Sequence, residues 1–164
     1  MSAPITALLD GETVTAVAGE VWSALVGEGE LLLPGLGPVA PAVDGPSAWV
    51  TVTGPWDGVV VLTCGASGTA DLTRSVLQLD DDEQPTAEDV DDVLRELANI
   101  LGGNVKSLLP GPSALGLPET GPAPLRAEDE DTCRVSASWR GHDLAITIQG
   151  ASEAPAHHTT EVPK

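Results

Sequence analysis

Residues 85–109 read PTAEDVDDVLRELANILGGNVKSLL, and at the roughly 100° per residue of an α-helix Val90, Val93, Leu94, Leu97, Ile100, Leu101, Val105 and Leu108 gather on one broad face. The stretch is predicted to be the principal helix of the protein, with that face in the core. Pro85 suits the first helical position, where a missing amide hydrogen costs nothing. Thr86 followed by Asp89 also fits a capping box that would start the helix one residue later. Asp89, Asp91 and Asp92 complement the positive end of the helix dipole, and Pro110-Gly111-Pro112 ends the helix at about Leu109. Asp92, Asn99, Gly103 and Lys106 fall roughly opposite the apolar face, and Glu96 lies on the same exposed side nearer its edge. Asn104 projects toward the core, a structural position where burial would require a hydrogen-bond partner.

Upstream of this helix, Ala48–Thr53 and Val59–Cys64 are rich in β-branched residues and flank the turn Gly54-Pro55-Trp56-Asp57-Gly58, the pattern of a β-hairpin. Downstream, Thr132–Trp139 and Leu144–Gln149 form a second hairpin across Arg140-Gly141-His142-Asp143. Its first strand places Cys133, Val135, Ala137 and Trp139 on one face. A helix over about Thr13–Leu25, capped by Thr13, carries an apolar stripe at 3- and 4-residue spacings, and a shorter helix spans about Ser67–Leu79. A short strand is expected at Leu31–Leu33, followed by irregular Pro/Gly-rich chain to Pro46, and another Gly/Pro-rich connection follows the principal helix. Hairpins covered by helices give an α+β fold with an antiparallel sheet. One domain is expected over residues 1–150, with a disordered tail over 151–164.

With 41% hydrophobic residues the chain can bury a core, but its only aromatics are Trp22, Trp49, Trp56 and Trp139, so Val, Leu, Ile and Ala must build most of it. The excess of 25 Asp and Glu over 7 Lys and Arg gives a formal charge of −18, which repels nucleic acid and anionic membranes and favours solubility. No run approaches the roughly 18 apolar residues of a membrane span, and the N-terminus lacks a secretion-signal pattern, so a cytoplasmic location is expected. Cys64 and Cys133 are expected to be reduced, buried thiols; a disulfide would need the two strands adjacent in suitable geometry.

Glu96 and Asn99 are one helical turn apart and can touch the same partner. A carboxamide offers both a donor and an acceptor, so Asn99 can hold a water in line with a phosphoryl group, orienting it without acting as a strong base. Glu96 can anchor a partner's Lys or Arg. Gly103 removes side-chain bulk one turn on. From spacing alone the ordinary reading is a solvated helix face with a mild kink at Gly102-Gly103, and spacing by itself does not decide for function.

The run Glu96-Leu97-Ala98-Asn99-Ile100-Leu101-Gly102-Gly103-Asn104-Val105-Lys106 resembles the signature of the CheC/CheX/FliY family of chemotaxis phosphatases, most closely its CheX branch. Leu115-Gly116-Leu117-Pro118 followed by Gly121 resembles the segment leading into that family's second hairpin. The Trp56-Asp57-Gly58 turn fits as well, so the resemblance spans about residues 10–150. It implies a CheX/CheC-like fold and removal of the phosphoryl group from the receiver aspartate of a phosphorylated CheY-like response regulator. In that reading Asn99 orients the hydrolytic water and Glu96 docks a receiver lysine. Asp92, Gly103 and Lys106 complete the binding face. The resemblance also implies Mg²⁺ in the partner receiver, no cofactor in this chain, and a homodimer. CheC-like members carry a second Glu-x-x-Asn on the first helix; here that part reads Glu20-Val21-Trp22-Ser23, so one site is expected. The competing function is a non-catalytic response-regulator-binding adaptor that uses the same helix for docking.

Elsewhere the chemistry is sparse. His142 sits in a hairpin turn and His157-His158 in the tail, without a metal-ligand set. Neither cysteine has a base pattern beside it. Gly27-Glu28-Gly29 and Gly35-Leu36-Gly37 lack the context of a phosphate loop. Trp56 is either an exposed partner contact or folded back over the sheet edge.

Overall fold

The computed structural model describes residues 3–34 and 45–151, so the expectations for residues 35–44 and 152–164, including the tail and its two histidines, lie outside the described residues. In chain order the elements are α1 (Ile5–Leu8), α2 (Gly11–Leu25), β1 (Leu33–Pro34), β2 (Ser47–Thr53), β3 (Gly58–Cys64), a 3₁₀ turn (Ala66–Gly68), α3 (Thr69–Leu77), α4 (Ala87–Lys106), β4 (Ala114–Leu115), β5 (Glu119–Gly121), β6 (Thr132–Trp139) and β7 (His142–Gly150). The α+β class and the antiparallel sheet agree with the sequence reading. No helix among the described residues is long and apolar enough to cross a membrane.

The sheet runs β1-β6-β7-β3-β2, with β4 and β5 both on the outer side of β2, and every pairing is antiparallel. The two hairpins, β2–β3 and β6–β7, join along their inner strands in continuous register from Gly58↔Gly150 to Cys64↔Leu144. Strand alternation then sets the layers. Val50, Val52, Val60, Leu62, Cys133, Ala137, Ile146 and Ile148 belong to the main core with Trp22 of α2 and Leu94 and Leu97 of α4. The opposite sheet face carries a small cluster of Trp49, Val59 and Val61, with Ala123 against it. Both cysteines are free and buried.

Several boundaries move for physical reasons. Asp10 rather than Thr13 caps α2, its carboxylate accepting from the Thr13 amide at 2.8 Å. Pro85 lies outside α4, because Thr86 and Asp89 form the reciprocal capping box at 3.0 and 3.1 Å. At the other end the α-helix stops at Lys106; the amides of Leu108 and Leu109 turn to Val105 and Lys106, a 3₁₀-like tightening. The 100° count fails there, so Leu109 is buried and Leu108, expected in the core, is exposed. The first strand is shifted to Leu33–Pro34, at the sheet edge where a proline lacking an N–H is tolerated. The second hairpin turns on Arg140 and Gly141 alone, both at positive φ, which puts His142 in β7. The connection after α4 holds β4 and β5, too short to show a period in sequence.

Trp56 folds back into the core at 2% exposure, which decides between its two readings. Its indole N–H donates to Asp131 Oδ1 at 3.1 Å, and the same oxygen accepts from the Ile5 amide at 2.6 Å. One carboxylate thereby ties the hairpin tip and α1 to the start of β6. Asp131→Ala leaves both donors without their acceptor and is expected to lower unfolding free energy by about 2 kcal/mol, read as a lower urea midpoint at unchanged m.

Candidate functional site

Helix α4 lies on the sheet through Val93, Leu94, Leu97, Ala98, Leu101, Gly102 and Val105, all buried, and it contacts β2, β3, α2 and α3. A helix seated on so many elements presents its remaining face at a fixed height and angle. On that face Asp92 and Glu96 are exposed, and Asn99, Gly103 and Lys106 are half-buried. Among the described residues, neither the Glu96 carboxylate nor the Asn99 carboxamide has a hydrogen-bond or ion-pair partner. Both heads are therefore open to an incoming molecule, one helical turn apart. Asp92 differs: it pairs with Arg95 on the helix surface, an exposed contact of the kind that contributes little and is readily exchanged. Lys106 sits in the last turn, where a cation suits the helix dipole.

The two glycines have separate tasks. A Cβ on Gly102 would lie 2.3 Å from Val50 Cγ2, so the absent side chain lets α4 settle onto β2. At Gly103 a Cβ would meet only Leu115 Cδ1 at 3.9 Å, ordinary contact distance. The clearance on the outer face is thus Gly103's, and the close packing is Gly102's. Periodicity could suggest this division but not establish it, because it depends on where Val50 comes across the sheet. Asn104 is a correction. It is exposed, and its Nδ2 donates to the Ile100 carbonyl at 2.9 Å within the same helix. Along that side of α4 burial fades from Val93 and Leu97 through half-buried Ile100 to exposed Asn104, so the cover ends before the last turn.

Other reactive groups are occupied elsewhere. Burial pushes the Cys64 thiol up to about 12, and burial followed by the Asp10 carboxylate raises that of Cys133, so neither is poised as a thiolate. His142 Nε2 lies 3.0 Å from Asp71 Oδ2, beside the Asp71–Arg74 pair. The His142 hydrogen bond, with lesser help from the Arg74 charge, holds the Asp71 carboxyl below its ordinary range. Among the described residues no group of three or more His, Cys, Asp or Glu is arranged to hold a metal ion.

The α4 face is thus two outward polar heads, a glycine gap and a flanking leucine, on a helix laid across an antiparallel sheet. Residues 46–124, which include all of α4, match the family model described as chemotaxis phosphatase CheX. Over that segment the chain is CheX-like, in keeping with the resemblance of its α4 run to the CheC/CheX/FliY signature. Its fold is similar to that of the CheX–CheY–BeF₃–Mg²⁺ complex from Borrelia burgdorferi, at 19% identity and TM-score 0.70 over 87% of this chain and 99% of that one. It is also similar to chemotaxis protein CheX from Desulfovibrio desulfuricans, at 16% identity and TM-score 0.68 over 86% and 98% of the two chains. A CheC-like superfamily protein from Shewanella sp. PV-4 gives 18% identity and TM-score 0.64 over 86% and 96%. At these identities the structural likeness is one of fold. No curated protein matches the chain significantly. The family match begins just before β2 and ends beyond β5, so it contains α4, the strand Gly102 rests on, and the segment carrying Leu115. Helix α2 and the second hairpin of this CheX-like chain lie outside it and are reached only by the structural likeness.

Substitution separates the two glycines. Gly102→Ala must displace the buried, β-branched Val50 and is expected to cost about 1–3 kcal/mol. Gly103→Ala is expected to be neutral or to stabilise the helix by up to about 1 kcal/mol. Chemical denaturation of both variants checks this; equal losses would remove the distinction.

Proposed function

We propose that this CheX-like protein hydrolyses the aspartyl phosphate of a CheY-like receiver domain. The observation that carries the reading is the outward, unpartnered pair Glu96 and Asn99 on rigid α4, inside the segment matched by the chemotaxis phosphatase family. Support for the partner comes from the similar fold found in the CheX–CheY–BeF₃–Mg²⁺ complex.

In this reading the receiver brings the acyl phosphate and its Mg²⁺, so the chain need supply only docking and water placement. Glu96 accepts charge-assisted hydrogen bonds from a receiver lysine and sets the approach of α4. Asn99 enters beside the phosphoryl group, its carbonyl oxygen accepting from a water and holding that water's lone pair in line with phosphorus. Water oxygen bonds to phosphorus as the bond to the aspartate oxygen breaks, and the products are the free aspartate carboxylate and inorganic phosphate. The neutral amide takes no proton; its contribution is orientation, the kind of pre-positioning that lowers a barrier without new covalent chemistry. Gly103 keeps the next turn low so that the receiver backbone can close on the helix, with Asp92 and Lys106 at the margins of the contact.

Asn99→Ala is expected to slow receiver dephosphorylation roughly 100-fold while fold and receiver affinity remain close to wild type. Glu96→Lys should instead weaken association at least about tenfold, because it sets a cation against the receiver lysine. Release of inorganic phosphate from a phosphorylated cognate receiver, followed alongside equilibrium binding, reads both. Equal rates for wild type and Asn99→Ala would sink the catalytic role, and binding without hydrolysis by wild type would identify an adaptor.

A further inference from the structure

The segment from β4 to β5 forms a strap beside α4. Leu115 pairs with Val52, the Gly116 amide donates to the Thr51 carbonyl at 2.9 Å, and Glu119 pairs with Trp49, so the strap is fastened along β2 on both sides of Leu117. Gly116 is pressed against β2 so closely that a Cβ there would lie 2.4 Å from Thr51 Oγ1. Both β4 and β5 touch α4, and Leu115 borders the helix at Gly102 and Gly103. Leu117, by contrast, is 85% exposed, more than any other large hydrophobic residue among the described ones. An apolar side chain held on a fastened strand, rather than a loose loop, keeps its position and loses little freedom when covered.

We infer that Leu117 is the apolar anchor of the receiver-docking surface, seating against an apolar patch next to the receiver's phosphorylated aspartate. This rests on the phosphatase reading above and deepens it. The α4 face offers polar heads and a gap, and exposed polar contacts alone seldom hold a complex; binding energy concentrates where an apolar group is fully desolvated at the centre of a polar surround. Leu117 lies between β4 and β5, both of which contact α4, and two residues beyond Leu115, which borders Gly102 and Gly103. In this arrangement Asn99 serves the reaction, Glu96 sets the approach, and Leu117 supplies residence on the partner. It is a positioning residue with no contact to the phosphoryl group.

The test uses the full chain with a CheY-like receiver, loaded with BeF₃ and Mg²⁺ for binding and phosphorylated for turnover. Leu117→Ser is expected to raise Kd and KM roughly tenfold with kcat within about twofold of wild type, Leu117→Met should restore both, and Leu77→Ser, an exposed leucine on α3, should change neither. Unchanged Kd for Leu117→Ser, while Glu96→Lys and Asn99→Ala behave as expected, would overturn the anchor and leave the phosphatase standing. Loss of self-association at unchanged receiver affinity would overturn it in favour of a second copy of this chain as the occupant. A wild-type protein that neither binds nor dephosphorylates receivers would bring down the phosphatase reading and the anchor with it.

Discussion

The ladder between β3 and β7 is the constraint on which the rest of the molecule depends. Each hairpin alone would expose a long edge of unpaired amides and carbonyls, and an isolated hairpin is marginal in water. Pairing the inner strands from Gly58↔Gly150 to Cys64↔Leu144 converts two hairpins into one surface whose helical side is continuously apolar. Only a sheet of that width can seat α2 and α4 together. Pairing of nonlocal strands also requires that the alternation of all four agree, since a one-residue slip would turn Val60, Leu62, Ile146 and Ile148 away from the helices. That agreement fixes the height of Val50, and Val50 fixes α4.

From there rigidity and freedom divide along one helix. The inward side of α4 is committed at every turn and comes closest at Gly102, while on the outward side Glu96 and Asn99 carry heads without a partner among the described residues. Such a division suits the proposed action on another protein's covalent intermediate. The scaffold holds still, and the groups proposed to meet the partner have no internal bonds to break first. The Asp92–Arg95 pair shows the contrasting case of a polar contact already spent on the helix surface.

Local periodicity made much of this visible. The expected strands Ala48–Thr53 and Val59–Cys64 differ by one residue at their starts from β2 and β3, because β-branched alternation is a property of the strand itself. Exposure of Glu96 on α4 followed from the same counting. What stayed hidden depends on distant chain. Nothing in residues 58–64 announces 144–150 as their neighbours, β4 and β5 exist only because β2 offers an edge, and the close-packed glycine is named by Val50, some fifty positions away. Asn104 and Leu108 were misplaced because helical counting assumes uniform cover and unbroken α geometry, and both conditions lapse in the last turn.

The outer side of β6 carries a different lesson. There β1 pairs with Ala137 and Ser138 and brings Pro34, which has no N–H to offer, to the border of the sheet. Sheet edges in general can nucleate head-on sticking between molecules. With a formal charge of −18, each copy meets the next as a strongly like-charged particle. The acidity that reads as mere solubility in the composition thus acts as long-range colloidal protection between copies, and it should weaken as added salt shortens its reach.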